Sequence, residues 1–202
     1  MSLHRIHNES NEVYFCTITC YKWLPLIEEA NAYHSVYRWF EHLKKDGCMV
    51  VGYVIMPNHF HVLLYPTHIG TTLNKMVGEC KRFMAYDIIQ SLKKQNKFDL
   101  LEQLTGGVQP QEKRKGKLHQ VFRLSFDARK CLSEKMVWQK LDYIHRNPVS
   151  GKWSLVTDFT QYPHSSAGFY ELGIASNVEI VHYKDLGKEG VQRSNASTSS
   201  NE

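Results

Sequence analysis

The chain has 202 residues, of which 42% are hydrophobic and 22% are charged, as expected for a globular protein with one sizeable core. Its 25 Lys and Arg against 20 Asp and Glu leave a net charge of +5, which is compatible with a polyanionic partner but does not require one. No apolar run approaches the ~20 residues of a membrane span, and residues 1–12 lack the apolar stretch of a signal peptide. We therefore expect a cytoplasmic protein without a membrane partner.

The N-terminal part of the chain predicts a strand followed by a helix. Residues 1–12 are polar, and we expect them to be flexible. Val13–Cys20 is rich in β-branched and aromatic residues, which favours a first strand. Apolar residues then recur at helical spacing from about residue 31 to residue 45, and Asp46-Gly47 marks the end of that helix.

The next segment predicts a β-hairpin and a long helix. Cys48–Met56 is an apolar run fit for a central strand, Pro57-Asn58 turns the chain, and His59–Tyr65 runs back as the antiparallel partner. From about residue 71 to residue 94, an apolar stripe follows helical spacing. The stripe is formed by Leu73, Met76, Val77, Cys80, Phe83, Met84 and Ile88.

A basic stretch and a further strand and helix follow. Residues 95–118 are rich in Lys, Gln and Gly and favour a loop, whose cations either face solvent or contact phosphates. Val121–Phe126 favours the fourth strand. A third helix is predicted to start near Ser133, whose hydroxyl suits an N-cap, and to end before Pro148.

The element order β-α-β-β-α-β-α predicts an α+β protein with a ferredoxin-like βαββαβ plan. We expect an antiparallel sheet with helices on one face and an additional C-terminal helix that carries a tyrosine, all within residues 13–150. The aromatic-rich residues 151–186 would pack on this domain as an extension. The polar tail 187–202 has little to bury and would be disordered.

His59-Phe60-His61 is the strongest local signal for chemistry. Side chains alternate along a strand, so both histidines share one face while Phe60 points to the other. Two imidazoles with Cα atoms about 6–7 Å apart can bind one metal ion. An HxH on a strand is more often a pair of half-buried, hydrogen-bonded histidines, so this motif alone does not establish catalysis.

A second signal lies in the third predicted helix. Tyr143 and Asn147 are four residues apart, so a helix presents the phenol and the amide on one face. Pro148 ends the helix directly afterwards and leaves both side chains near its terminus. Taken alone, a core tyrosine and an asparagine cap would be the more common explanation of this pattern.

The two motifs together match a known family. The sequence GYVIMPNHFHVLL at residues 52–64, followed by YIHRNPV at residues 143–149, resembles the single-tyrosine HUH transposases and, within them, the REP-associated tyrosine transposases. The resemblance covers roughly residues 13–170, including YPHSSA at residues 162–167. It implies a bacterial, nucleoid-associated enzyme that nicks and rejoins single-stranded DNA at hairpin-forming repeats.

The resemblance implies a role for each of four residues. His59 and His61 correspond to the paired histidines that hold a divalent cation. Tyr143 corresponds to the nucleophile that attacks a DNA phosphodiester and keeps the 5′-phosphate as a phosphotyrosine. Asn147 falls where many relatives have a glutamine as third metal ligand, and its amide offers the same oxygen on a side chain one methylene shorter.

A divalent cation would serve this reaction because a free tyrosine, with a pKa of about 10, is a poor nucleophile at neutral pH. A cation beside the scissile phosphate neutralises its oxygens and lowers the barrier. We expect Mg²⁺ or Mn²⁺, of which Mn²⁺ suits imidazole better. Zn²⁺, which prefers a closed tetrahedral shell, would act as an inhibitor.

Further residues are candidates for DNA contacts. Arg and Lys side chains bind phosphates, and Trp stacks on an unpaired base. A solvated helix face and a core tryptophan are the alternative interpretations. The candidates are Lys81, Arg82, Arg146, Lys152 and Trp153.

Two other functions stay open at this point. A domesticated DNA-binding regulatory protein would keep the fold but not the turnover. A zinc-dependent hydrolase of small substrates would use the His59 and His61 pair, although no third His or Cys lies at a convincing spacing. The expected partner is single-stranded or hairpin DNA, and the chain could act as a homodimer or as a monomer.

Overall fold

A four-stranded antiparallel sheet forms the centre of the protein, in a computed structural model that describes residues 9–68, 72–151 and 153–188. The strands lie in the order β2-β3-β1-β4. Their bounds are β1 Val13–Thr19, β2 Cys48–Met56, β3 His59–Pro66 and β4 Asp127–Cys131. This order confirms the predicted α+β class and the ferredoxin-like antiparallel sheet.

Seven helices surround the sheet within the described residues. Two of them begin at side-chain caps, since Thr72 accepts a hydrogen bond from the Lys75 amide and Ser133 accepts one from the Met136 amide. The helices are α1 Leu26–Glu29, α2 Tyr33–Lys45, α3 Leu73–Lys94, α4 Phe98–Gly106, α5 Pro110–Arg114, α6 Glu134–His145 and α7 Ala167–Leu172.

Each face of the sheet has its own apolar core. Helices α2 and α3 cover one face, where Phe40 and Val77 pack with Phe60. Helix α6 covers the other face, where Leu141 and Ile144 belong to the second core. We call these two sides the α2/α3 face and the α6 face. The alternation of β3 side chains therefore sends Phe60 and the histidines to opposite faces.

The fourth strand is not where the sequence predicts it. Val121–Phe126 was expected to form it, but β4 is Asp127–Cys131, which pairs with residues 13–17 of β1. Phe122 forms an isolated bridge with Cys20 instead, and its buried ring belongs to the core of the α2/α3 face. β4 is a short, polar edge strand, so its sequence lacks the apolar alternation that marks an inner strand.

Residues 95–118 are also more structured than predicted. This stretch contains α4 and α5 rather than a continuous loop. Leu101 and Leu104 are buried against the core of the α2/α3 face, so α4 gains the packing that stabilises a short helix. Phe83 also departs from the predicted apolar stripe of α3, since its side chain is exposed.

The segment after α6 covers the outer edge of β2. The Ile55 amide donates to the His164 carbonyl at 2.8 Å, and the Val181 amide donates to the Val50 carbonyl at 3.0 Å. The unpaired backbone groups of this edge strand are thereby satisfied. The expected flexible N-terminus and disordered tail fall largely on residues 1–8 and 189–202, which lie outside the described residues. Among the helices that are described, none has the length and apolarity to span a membrane.

Candidate active site

His59 and His61 lie side by side on the α6 face of β3. Their ring centroids are 4.8 Å apart, and both side chains are buried, with 6% and 5% exposure. The alternation that buries Phe60 on the opposite face brings the two imidazoles together. The structure thus places the predicted pair close enough to act on one ion or one substrate atom.

Each histidine is held at Nδ1 by a neighbouring side chain. Nδ1 of His59 lies 2.6 Å from Oδ1 of Asn58, and Nδ1 of His61 lies 2.9 Å from Oγ1 of Thr17. An amide oxygen can only accept, so Nδ1 of His59 carries the proton and its Nε2 keeps a free lone pair. The Thr17 hydroxyl can accept in the same way, which would leave Nε2 of His61 free as well.

Burial keeps both imidazoles neutral. It lowers the pKa of His59 to about 4, against which a hydrogen bond to the Asn147 side chain acts. It lowers the pKa of His61 to about 3, and the charges of His59 and Lys140 add to that effect. Because histidine binds a metal ion in its neutral form, the pair is in the ligating protonation state at neutral pH.

Tyr143 stands next to the histidine pair in the same chain. Its ring centroid lies 5.5 Å from that of His61, with the planes at 66°. The Phe15 ring stacks on that of His61, with 5.3 Å between the centroids, and meets that of Tyr143 edge to face at 6.3 Å. The tyrosine is 53% exposed, so a large substrate can reach its phenol from solvent.

The close approach of α6 to the sheet sets this distance. Gly52 of β2 faces Leu141 of α6, and a Cβ atom at Gly52 would lie 2.3 Å from Cδ2 of Leu141 and 3.2 Å from Oγ of Ser166. The missing side chain lets the helix lie directly on the strand. Ser166 accepts a hydrogen bond from the Tyr53 amide at 2.9 Å and lies 2.8 Å from Nε2 of the buried His145.

Asn147 lies just past the end of α6, in the 3-10 turn Asn147–Val149 rather than on the helix itself. Its Nδ2 donates to the Tyr143 carbonyl at 2.8 Å. The same side chain raises the pKa of His59, as expected for an amide oxygen that accepts a hydrogen bond from the protonated ring. Asn147 therefore links the tyrosine helix to the histidine pair.

These residues offer a donor set that fits a divalent cation with oxygen or nitrogen ligands. Two neutral imidazoles and one amide oxygen converge, and they leave coordination positions for water or phosphate oxygens. The set depends on the amide, since no three His, Cys, Asp or Glu side chains within the described ranges are grouped to hold a metal. Within the part of the chain that the structure describes, no structural zinc site of four such ligands is present.

The five predicted DNA-contact residues are not all at this site. Lys81 donates to the carbonyls of residues 123, 124 and 125 at 2.7, 3.4 and 3.1 Å, and burial lowers its pKa to about 8. Arg82 is exposed nearby and lies over the Phe83 ring. Arg146 pairs with Asp142 beside the tyrosine motif.

The other two candidates follow the 3-10 turn after α6. Trp153 is partly buried in the core of the α6 face. Lys152 lies outside the described residues.

Sequence reasoning missed several neighbours of the site. Thr17 and Asn58 hold the rings, Trp23 contacts His59 at 5.4 Å between ring centroids, and the ammonium of Lys140 lies 5.9 Å from the Tyr143 centroid. Lys140 precedes Tyr143 by three residues, so helical spacing could have identified it. The contacts of Thr17 and Trp23 depend on strand register and loop geometry, which the sequence does not display.

Comparison with known proteins supports the fold. No protein-family model matches the chain, and no curated protein matches it. Among solved structures it is similar to a REP-associated tyrosine transposase bound to a REP hairpin, with a TM-score of 0.60 and 17% identity over 90% of this chain and 95% of that one.

A second structure, from Deinococcus radiodurans and provisionally described as a transposase, has 17% identity and a TM-score of 0.39 over 72% of this chain and 94% of that one. This score is too low to carry an argument. The first of these two similarities, with a TM-score of 0.60, shows that the chain has the fold of the REP-associated tyrosine transposase.

Proposed function

We propose that this protein is a metal-dependent, single-tyrosine DNA transposase of the HUH type. The observation that carries the proposal is the position of Tyr143, whose ring centroid lies 5.5 Å from that of His61. Asn147 connects the helix of Tyr143 to His59. Each of these residues is ordinary alone. Their convergence on one face of the sheet is what a phosphoryl-transfer site with a tyrosine nucleophile requires.

Tyr143 is the proposed nucleophile. Its phenol loses its proton and its oxygen bonds to the phosphorus of a DNA phosphodiester, while the bond to the 3′-oxygen breaks and that oxygen takes up a proton. The product is a free 3′-hydroxyl and a 5′-phosphotyrosine. Attack by another 3′-hydroxyl on this phosphotyrosine rejoins a strand and releases the tyrosine, so no external energy source is needed.

His59, His61 and Asn147 would hold the cation. When bound, Mg²⁺ or Mn²⁺ would neutralise charge on the phosphate oxygens and on the leaving oxygen. The chain prepares this site by keeping both imidazoles neutral and by holding Nδ1 of each ring against a polar partner. Lys140 places its ammonium 5.9 Å from the centroid of the Tyr143 ring, where it would attract a phosphate of the bound strand.

The proposed substrate is single-stranded DNA beside a hairpin. The similar solved structure holds a REP hairpin, and an exposed tyrosine can reach a strand that is not paired. Arg146, Lys152 and Trp153 follow Tyr143 closely in the chain and are proposed to contact this strand, whereas Lys81 and Arg82 would contact it from α3. The histidines and the tyrosine lie close together within one chain, which is compatible with a monomer and with a homodimer.

Covalent capture tests the proposal. The protein is incubated with Mn²⁺ and hairpin oligonucleotides taken from its own genomic flanks, and the products are separated under denaturing conditions. We expect a protein–DNA adduct that disappears in Tyr143→Phe and persists in Tyr86→Phe, a matched change at an exposed tyrosine of α3. Unaltered adduct formation in Tyr143→Phe would contradict the assignment of the nucleophile.

The same experiment separates the alternatives. A regulatory DNA-binding protein would shift the hairpin in a native gel and leave it uncut under every condition. A zinc hydrolase of small substrates would contain stoichiometric zinc and would be indifferent to Tyr143→Phe. The 5.5 Å between the ring centroids of His61 and Tyr143 favours the transposase, because it places a possible nucleophile beside the proposed metal ligands.

A further inference from the structure

The segment after β1 places an exposed tryptophan beside the histidine pair. Trp23 is 47% exposed, and its ring meets that of His59 edge to face, with the planes at 78°. A singly exposed aromatic residue on a protein surface is ordinary. Trp23 contacts a residue of the proposed metal site, so a DNA strand bound at that site would pass close to its ring.

The backbone at Trp23 is held in an unfavourable conformation. Lys22 and Trp23 have φ angles of 50° and 60°, in the left-handed region that non-glycine residues avoid. Nδ2 of the buried Asn58 donates to the Trp23 carbonyl at 3.1 Å, while its Oδ1 faces Nδ1 of His59 at 2.6 Å. One buried amide thus fixes both the tryptophan backbone and the histidine ring.

A cation lies next to the exposed ring. The guanidinium of Arg123 is 5.8 Å from the Trp23 centroid. Backbone hydrogen bonds hold Arg123 close to the segment that carries Trp23. The Tyr21 amide donates to the Val121 carbonyl at 2.7 Å, and the Arg123 amide donates to the Thr19 carbonyl at 2.9 Å. An aromatic surface and a nearby guanidinium are the two elements that bind single-stranded nucleic acid without reading its sequence.

We propose that Trp23 is the stacking surface for an unpaired base adjacent to the scissile phosphate, and that Arg123 contacts the phosphate backbone of the same strand. This inference rests on the proposed function, because it assumes that DNA reaches the His59 and His61 pair. A base stacked on Trp23 lies within about one nucleotide of a phosphate at these histidines, given the 5.4 Å between the Trp23 and His59 rings. Stacking would therefore position the strand for attack without contributing to the chemistry.

Binding of a short oligothymidine strand tests this surface without requiring cleavage. All proteins carry Tyr143→Phe, so that no adduct forms, and affinity is measured by fluorescence anisotropy of labelled DNA. Stacking on one aromatic side chain changes affinity by a factor on the order of 10. We expect Trp23→Gly to raise Kd by about that factor, Trp23→Phe to stay within about threefold of the parent, and Trp138→Gln, at an exposed tryptophan of α6, to leave Kd unchanged.

Two further readouts keep the result interpretable. Glycine suits the φ of 60° at this position, so Trp23→Gly should unfold at no lower a urea concentration than the parent. Arg123→Gln should weaken binding and reduce its dependence on salt, as expected for a lost phosphate contact.

Failure of this inference differs from failure of the proposed function. If Trp23→Gly binds the strand as well as the parent does, or if the parent does not bind it at all, the stacking surface is refuted, because stacking tolerates any sequence. A covalent adduct that persists in Tyr143→Phe would instead refute the nucleophile, whatever the result of the binding measurements. Binding lost equally in Trp23→Gly and Trp138→Gln would also overturn the inference.

Discussion

Oγ1 of Thr17 in β1 lies 2.9 Å from Nδ1 of His61 in β3, and the two residues are directly opposite each other in the antiparallel pair. If the hydroxyl accepts from Nδ1, it fixes the tautomer in which Nε2 can bind a metal ion. The ring is also stacked on Phe15, so it has little freedom to turn. The proposed metal site is thus oriented by a strand that supplies none of its ligands.

We predict that Thr17→Val weakens Mn²⁺ binding by a factor of about 10 to 100, the usual cost of losing a residue that orients a ligand. Valine keeps the shape and the β-branching but removes the hydrogen bond to His61. Isothermal titration with Mn²⁺ measures the effect, and Thr17→Ser, which keeps the hydroxyl, should bind nearly as well as the parent. Equal affinities in Thr17→Val and the parent would show that the hydroxyl does not orient the ring.

The amide of Asn147 gives a second prediction. Asn147→Ala removes the proposed third ligand and should lower Mn²⁺ affinity about tenfold or more, whereas Asn147→Asp supplies a carboxylate and should raise it. Mn²⁺ titration and adduct formation are measured together on each variant. If alanine leaves both unchanged, Asn147 is not a ligand, and its contacts with Tyr143 and His59 are not needed for adduct formation.

Buried histidines make stability depend on pH in a defined window. Burial lowers the pKa of His145 to about 4, against an ordinary value of 6.5, and Asp142 opposes the shift. The unfolded chain therefore binds a proton below pH 6.5 that the folded chain takes up only near pH 4, so the stabilisation is complete above 6.5 and is lost as the pH falls. His59 and His61 have the same sign.

We predict that His145→Gln flattens this dependence. In metal-free buffer the parent should lose about 2 kcal/mol more than the variant between pH 6.5 and pH 4.5. Urea unfolding at several pH values measures the difference.

Adjacent residues of α3 should separate stability from DNA affinity. Lys81 donates to three carbonyls of the segment 123–125, so Lys81→Met should destabilise the fold by about 1 kcal/mol. Arg82 is exposed, and Arg82→Met should leave the free energy of unfolding within about 0.5 kcal/mol of the parent. Urea unfolding and a salt series of DNA binding are compared for the two variants. If Lys81→Met lowers the free energy of unfolding no more than Arg82→Met does, the three hydrogen bonds of Lys81 do not stabilise the fold.

The parts of the fold with strong local patterns could be predicted from the sequence. The hairpin β2–β3 has two apolar runs around Pro57-Asn58, and α6 starts at the Ser133 cap as expected. β4 could not be predicted, because an edge strand with alternating exposed residues has no apolar pattern. α4 was missed because its helical structure depends on the burial of Leu101 and Leu104 against a distant core.

The candidate site also has features that could be predicted from the sequence and features that could not. The alternation of His59 and His61 and the spacing of Tyr143 and Asn147 follow from local geometry, and the resemblance to a known family supplied their roles. Thr17 is 44 residues from His61 in the chain, so its contact needs the strand register. The contact between Trp23 and His59 needs the left-handed turn at residues 22 and 23, for which no glycine or asparagine gives a sequence signal.

The bare backbone at Gly52 has a consequence for how such a protein can change over evolution. A methyl group there would clash with the end of the Leu141 side chain, so either this side chain changes its rotamer or the helix that carries Tyr143 shifts. Both cores would still form, because a small shift leaves most of their apolar surface buried. If the helix shifts, a single substitution at Gly52 would abolish the proposed strand cleavage and preserve the proposed DNA binding.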